Sequence, residues 1–518
     1  VGDRRRVPKS DPTGPIWRPT RRWSISTENL YALFVERLFD GPVDKDRTWP
    51  NLHTLLQDPA RNLLYNHKNL DEDPLIRLVP DCADLPVALR TYFAWKMRLP
   101  FGFFMCRRAD RGKPPVCDLP GSDDNLMSRL ELKSVPIKAT RSRREVRIFL
   151  AFAYKVMAAI HSSSGRTPPK DEETDLYPVP LTRRALRPGT VFVDPFGHVL
   201  MIAKWIPQGI GTQYGRLIGV DAQPDGTIGR RRFWRGSFLF DPETKAGGAG
   251  FKAWRPDYVK KGDVQVNVDD KGTLKPVTRI GRVLTWTNRG LRHTRGFTKL
   301  STQQYTGSKN DFYDTVESLI NPLPLDPVVR QLALVDALAE AVSRRVTAVE
   351  NGEAYMKKQN GQAMKLPPGA RIFLSANQAW EAYSTPSRDI RLLIAIDSVL
   401  GFPDAVKRAP RRFGLEKNDD LDGVVRKVRA RLADELARRS IQYTRSDGSK
   451  WTITLRQLID RQKGLEMAYN PNDCVEIRWA APTGSAERST CKRHAPSDQR
   501  QRMETYRHWF RTRQRPPN

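Results

Sequence analysis

The chain has 518 residues, 39% of them hydrophobic, which is enough for two or three domains with ordinary apolar cores and excludes any need for extra stapling to fold. Its 88 Lys and Arg against 58 Asp and Glu give a formal net charge of +30. This charge is spread along the chain and points to polyanions as partners: nucleic acid, an anionic cell-wall polymer or an acidic membrane face. No run of about eighteen apolar residues occurs, so no bilayer-spanning helix is predicted.

Residues 1–26 are rich in Arg and Pro, lack periodicity and read as a basic extended arm. The start at Val1 rather than Met reads as a processed chain whose leader has been removed. Helical spacing over 27–40 predicts a helix with Thr27 as N-cap, and 52–65 predicts a shorter one. In DCADLPVALRTYFAWKMRLPF (81–101), Leu85, Ala88, Leu89, Tyr92, Phe93 and Met97 share one helical face, Pro86 fits a first turn and Pro100 ends the pattern. A further helix is predicted over 143–161. The period then changes: 187–206, 216–222 and 227–240 are β-rich runs separated by Pro and Gly, predicting an antiparallel meander. Residues 241–305 read as a long irregular excursion. From 310 the pattern is mainly helical, with Asp326 as a cap, a hairpin at 441–455 and a basic helix near the C-terminus. The expected architecture is α+β: a catalytic domain over 27–305 and a mainly helical domain over 306–518 with a basic C-terminal cap.

The five cysteines divide unevenly. Cys106 and Cys117 bracket a loop containing Gly and Pro, and Cys474 and Cys491 bracket a turn-rich stretch, so two local disulfides are expected and Cys82 is left over. Two disulfides and one thiol suit an oxidising compartment, periplasmic or secreted in a bacterium; five reduced cysteines in a cytosol are the alternative. A cysteine at a helix N-terminus faces the positive end of the helix dipole, which favours thiolate. His198 opens the apolar strand GHVLMIAKW and is the candidate base. Asp221, in the apolar strand LIGVDA, is the candidate to orient its ring, with Gln223 two residues on as the alternative.

CADLPVALRTYFAWKMRLPF resembles the cysteine helix of NlpC/P60 enzymes, and LRPGTVFVDPFGHVLMIAKW resembles their Pro-Gly and His-Val strand pair. The resemblance covers about 81–240, with Ala83-Asp84 where the family has Ser-Gly and Thr190 where it has Asp. It implies a papain-like helix packed on an antiparallel sheet, and hydrolysis of peptide-linked amides in peptidoglycan through a thioester, by Cys82, His198 and Asp221. The Cys82 N–H would serve as one oxyanion donor, and Tyr65 as the second, in the place of the family's Tyr. Two other uses are open: a transglutaminase-like or acyltransferase reaction of the same three residues, and a non-enzymatic basic protein that binds a polyanion or a larger assembly. Basic residues interleaved with Trp and Phe could stack nucleic-acid bases, but no RNP, OB or zinc-finger pattern accompanies them. The Arg runs at 107–111 and 230–232 read as solvated surface. No phosphate loop, dinucleotide fingerprint or His/Cys cluster at metal spacing occurs, so no cofactor or metal is expected.

Overall fold

The structure, a computed structural model, describes residues 16–42, 47–109, 113–117, 141–209, 214–245, 247–260, 266–268, 274–276, 282–293, 297–360, 362–373 and 378–516. They divide into two compact units. The first holds the chain up to Ile206, Leu217–Arg231 and Phe240–Leu319; the second holds Pro207–Arg216, Arg232–Leu239 and the chain from Ile320 on.

The first unit combines helices with a seven-stranded sheet. Its helices include α1 (Ile25–Leu38), α2 (Leu52–Leu56), α3 (Asp84–Met97) and α4 (Arg141–Ala159). The strands are β1 (Thr48–Trp49), β2 (Leu176–Pro178), β3 (Val191–Val193), β4 (Val199–Ile206), β5 (Arg216–Ala222), β6 (Ile228–Arg232) and β7 (Gly250–Trp254), in the order β1-β6-β5-β4-β3-β7-β2. Strand β3 pairs antiparallel with β4 on one side, Val193 opposite Val199, and with β7 on the other, Val193 opposite Gly250. The expected meander is therefore the centre of the sheet.

Strand β7 lies in the stretch read as an irregular excursion. Its entry depends on Gly250, which has a φ of +105°; a Cβ there would sit 2.2 Å from Gln304 Oε1. The Gln304 carboxamide accepts from Phe251 N–H at 2.9 Å and donates to the Phe251 carbonyl at 2.9 Å, which fixes this strand from a distant loop. Helix Lys309–Ile320 also belongs here: Phe312 stacks on Phe240 with ring centroids 3.7 Å apart, so the first unit runs to Leu319 rather than stopping at 305.

Helix α1 starts earlier than expected. Ser24 is its N-cap, accepting from Thr27 N–H at 3.3 Å, while the Thr27 hydroxyl takes the Ser24 N–H at 2.6 Å; Thr27 is the third helical residue of this reciprocal capping box. Helix α3 is not amphipathic in its surroundings, because every residue from Leu85 to Met97 is buried. It shares one buried cluster with Met201 and Ala203 of β4, Val220 and Ala222 of β5 and Ile228 of β6. It meets α4, where Trp95 stacks on Phe149 at 4.2 Å. It also meets α1, where Glu28 takes a bidentate pair from Arg90 at 2.6 and 3.1 Å. The arm from Ile16 closes the end of α3: Trp17 Nε1 donates to the Leu99 carbonyl and Trp23 Nε1 to that of Pro100, both at 2.8 Å. Residues 1–15 of the arm lie outside the described residues.

In the second unit the longest helix is Pro327–Lys358, capped by Asp326, which accepts from Val328 and Val329 N–H at 2.8 and 2.9 Å. It packs with Pro386–Leu400 and Leu421–Arg438, and Arg345 makes a buried bidentate pair with Asp389 at 2.8 and 2.9 Å. The hairpin forms from Ser440–Thr444 and Lys450–Thr454, and a C-terminal helix covers Ser497–Arg511. Both expected disulfides are present, Cys106–Cys117 and Cys474–Cys491, and Cys82 is in neither. No helix among the described residues is long and apolar enough to cross a membrane.

Candidate functional site

His198 is held by the tight turn that joins β3 to β4. The Asp194 carboxylate accepts from Phe196 N–H and His198 N–H, both at 2.8 Å, and Asp194 N–H donates to the His198 carbonyl at 2.9 Å. Gly197, at a φ of +92°, supplies the left-handed residue this turn requires. Arg166 braces the turn from behind, donating to the Pro195 carbonyl at 2.8 Å.

The neighbouring strand β5 brings Asp221 to this ring, with His198 Nε2 lying 2.9 Å from Asp221 Oδ2. Gln223 does not replace Asp221; its Nε2 donates to the same Oδ2 at 2.9 Å. Gln223 is itself fixed by the β5–β6 turn, where its N–H donates to the Thr227 carbonyl at 2.8 Å. A fourth residue completes the set. Arg231 of β6 approaches Asp221 Oδ1 at 3.0 Å. The run 230–232 is therefore not solvated surface: Arg230 is buried and donates to the Pro42 carbonyl at 2.8 Å, Arg231 meets Asp221, and Arg232 bonds Glu340. In sequence three adjacent arginines look like a solvated run, and strand alternation beside Asp221 is the signal that sets Arg231 apart.

Cys82 is half-buried and sits just before α3. Its flanks tie it to the strands that carry the other residues. Ala83 shares a buried cluster with Val191, Val193 and Val199, the last being the residue after His198. Val79 lies against Gly226 in the turn that follows Gln223, where a Cβ would come within 2.3 Å of Val79 Cγ1. Tyr65 is at the opposite end of α3: the carbonyl of its neighbour Leu64 accepts from Lys96, in the last turn, at 3.1 Å. Tyr65 is therefore too far from Cys82 for the oxyanion role expected of it.

The helix end at Cys82 carries two carboxylates. Asp81 Oδ1 accepts from Ala83 N–H at 2.8 Å and Asp84 N–H at 3.1 Å, so it occupies the free N–H groups that were expected to act on the thiol. Support for a thiolate then falls to the imidazole. Burial, reinforced by the charge of Asp81, lifts the Asp84 carboxyl to about 7. A raised carboxyl stabilises the fold while protonated, so this contribution is lost as pH rises from about 4 to 7. Asp84→Asn keeps the acceptor for the Asp81 N–H at 3.4 Å. It should raise stability at pH 8 by about 1–2 kcal/mol and leave pH 4 unchanged, as read by thermal unfolding at the two pH values. An equal effect at both would refute the assignment.

Cys474, Glu476 and Cys491 also lie together, but the two sulfurs are bonded to each other and offer no thiolate to a metal. No known family, curated protein or solved structure matches the chain.

Proposed function

We propose that the protein is a cysteine amidase or peptidase of papain-like architecture, hydrolysing peptide-type amide bonds in bacterial cell-wall peptidoglycan. The observation that carries this reading is the 2.9 Å approach of His198 Nε2 to the buried carboxylate of Asp221, with Ala83 clustered with residues of β3 and β4 and Val79 against the β5–β6 turn. With Nε2–H donated to the carboxylate, Nδ1 is the nitrogen that exchanges protons with the thiol.

Cys82 gives its proton to His198 Nδ1 and its sulfur attacks the amide carbonyl carbon. The C–N bond breaks as the imidazolium returns that proton to the leaving amine, and a thioester remains on Cys82. Water then loses a proton to His198 and attacks the thioester, and the carboxylic acid leaves as the thiol re-forms. The Cys82 N–H serves as an oxyanion donor. The net charge of +30 supports an anionic polymer as the setting, and the two disulfides support a periplasmic or secreted location.

The test is digestion of purified peptidoglycan, with mass spectrometry of the fragments. New amino and carboxyl termini are expected from the wild type, and Cys82→Ala should lower their yield by at least about 1,000-fold without unfolding the chain. Equal yields from both proteins would sink the proposal. Products in which an added amine replaces water would move the assignment to a transglutaminase-like transferase.

A further inference from the structure

We infer that Arg231 is a positioning residue of this site: it clamps the Asp221 carboxylate so that the oxygen facing His198 holds the imidazole in the tautomer that takes the thiol proton. This rests on the reading of Cys82, His198 and Asp221 given above. The guanidinium is fixed at two points, Nη1 donating to the Arg230 carbonyl at 2.9 Å and Nη2 meeting Asp221 Oδ1 at 3.0 Å. Its side chain is 10% exposed and that of Asp221 3%, so the pair is well shielded from water. The carboxylate thereby divides its oxygens, Oδ1 toward Arg231 and Oδ2 toward His198 and Gln223. Arg231 fixes its rotation and supplies the charge that a buried carboxylate needs.

The backbone makes room for this clamp. A Cβ on Gly229 would lie 2.5 Å from Arg231 Nη1 and 3.0 Å from Cζ. Gly229 has no left-handed backbone to require it, so its missing side chain serves the guanidinium. The arginine charge also offsets the carboxylate as felt by the ring. Without it, the imidazolium pairs with an uncompensated carboxylate and holds its proton to higher pH. Other charged groups among the described residues of these elements include Asp194 and Arg166 at the β3–β4 turn, Asp225 in the β5–β6 turn, and Asp81 and Asp84 before and in α3. None of them changes in the variants below.

Because the other four cysteines are in disulfides, iodoacetamide reports on Cys82 alone. Its rate of alkylation in the full chain is measured from pH 4 to 10. The wild type should show two inflections, the upper marking loss of the imidazolium proton. In Arg231→Gln the upper inflection should rise by about one pH unit; in Arg231→Lys, which keeps the charge, it should return toward the wild type. Gly229→Ala, which displaces the guanidinium and leaves its charge, should shift it less and in the same direction. Hydrolysis by Arg231→Gln should lose about 10- to 100-fold in kcat with KM little changed. Identical profiles and kcat in the wild type and all three folded variants would overturn the role of Arg231 while leaving the triad intact. A single inflection near the ordinary thiol value of about 8.5 in the wild type would overturn the triad itself, and the role of Arg231 with it.

Discussion

Asp221→Asn should lower kcat/KM for amide hydrolysis by about 10³- to 10⁴-fold, with most of the loss in kcat. The substitution is nearly isosteric, so the effect comes from hydrogen-bond polarity. The carboxylate accepts from His198 Nε2 and Gln223 Nε2 at Oδ2, and the Arg231 guanidinium lies 3.0 Å from Oδ1 as its ion-pair partner. An asparagine offers one acceptor oxygen and an NH2 group. If the oxygen faces His198, the NH2 meets the guanidinium. If the oxygen faces Arg231, the NH2 meets Nε2, and the ring must take the opposite tautomer with its proton on Nδ1. In the proposed mechanism that tautomer cannot accept the proton of the Cys82 thiol, so the thiol is not activated.

The choice between these two orientations can be read from a double substitution. Removing the arginine as well, in Asp221→Asn with Arg231→Met, deletes the cation that opposes the amide nitrogen and frees the amide oxygen for His198 and Gln223. Activity should recover by about tenfold or more over Asp221→Asn alone, although Arg231→Met by itself lowers it. Steady-state kinetics on a peptidoglycan fragment measure all four corners of the cycle. Independent, multiplicative losses would show that Arg231 and Asp221 do not act as a unit.

The pairing of His198 with Asp221 was legible in the sequence, because the proposed site is assembled from local signals. Cys82 stands before a helix bounded by Pro86 and Pro100, His198 follows a Pro-Phe-Gly turn, and Asp221 is a charge inside an apolar strand. What was not legible depends on distant pairing. Strand β1 is two residues long and exists only because Thr48 and Trp49 meet Gly229 and Ile228. Strand β7 is set by Gln304, and its short run of apolar residues is lost among Gly and Lys in sequence. The arm's Trp17 and Trp23 show no period because they bury against loop carbonyls rather than along a helix face. Helix α3 read as one-faced because Arg90 and Lys96 look like solvent-facing charges, whereas both are neutralised inside the core.

Lys96 is the residue whose loss should cost the fold most. Its ammonium, in the last turn of α3, donates to Glu72, to Asp73 Oδ2 at 2.6 Å and to the Leu64 carbonyl at 3.1 Å. Both carboxylates are fully buried. Backbone N–H groups complete them: Lys68 donates to Glu72 at 3.0 Å, Leu70 to Glu72 at 3.2 Å and Asn66 to Asp73 at 2.6 Å. The loop turns through left-handed residues at Asn66, Asn69 and Asp71 to deliver them. Tyr92 adds its hydroxyl to Asp73 at 2.5 Å; burial and the Asp73 charge hold that phenol well above its usual range, so it stays a donor. Burial pushes the Glu72 carboxyl up, but the bond from Lys96 and the backbone N–H groups outweigh it and the net shift is downward. That part of the stability is present above the usual carboxylate range and is lost as pH falls through the lowered value.

Lys96→Met leaves two buried carboxylates without their cation and should cost about 3–5 kcal/mol at pH 7. The deficit should shrink toward pH 4, where protonation of Glu72 relieves part of the unpaired charge. Hydrogen exchange of the α3 amides reads this locally, which matters in a chain of two compact units. Neutralising the partners too, with Glu72→Gln and Asp73→Asn, should restore most of the loss at pH 7, since the penalty comes from unpaired charge rather than from lost packing. A deficit that stays below about 1 kcal/mol, or that grows on acidification, would refute the ionic account. Because the cluster sits at the opposite end of α3 from Cys82, the alkylation profile of that cysteine should be unchanged in whatever fraction of the variant remains folded.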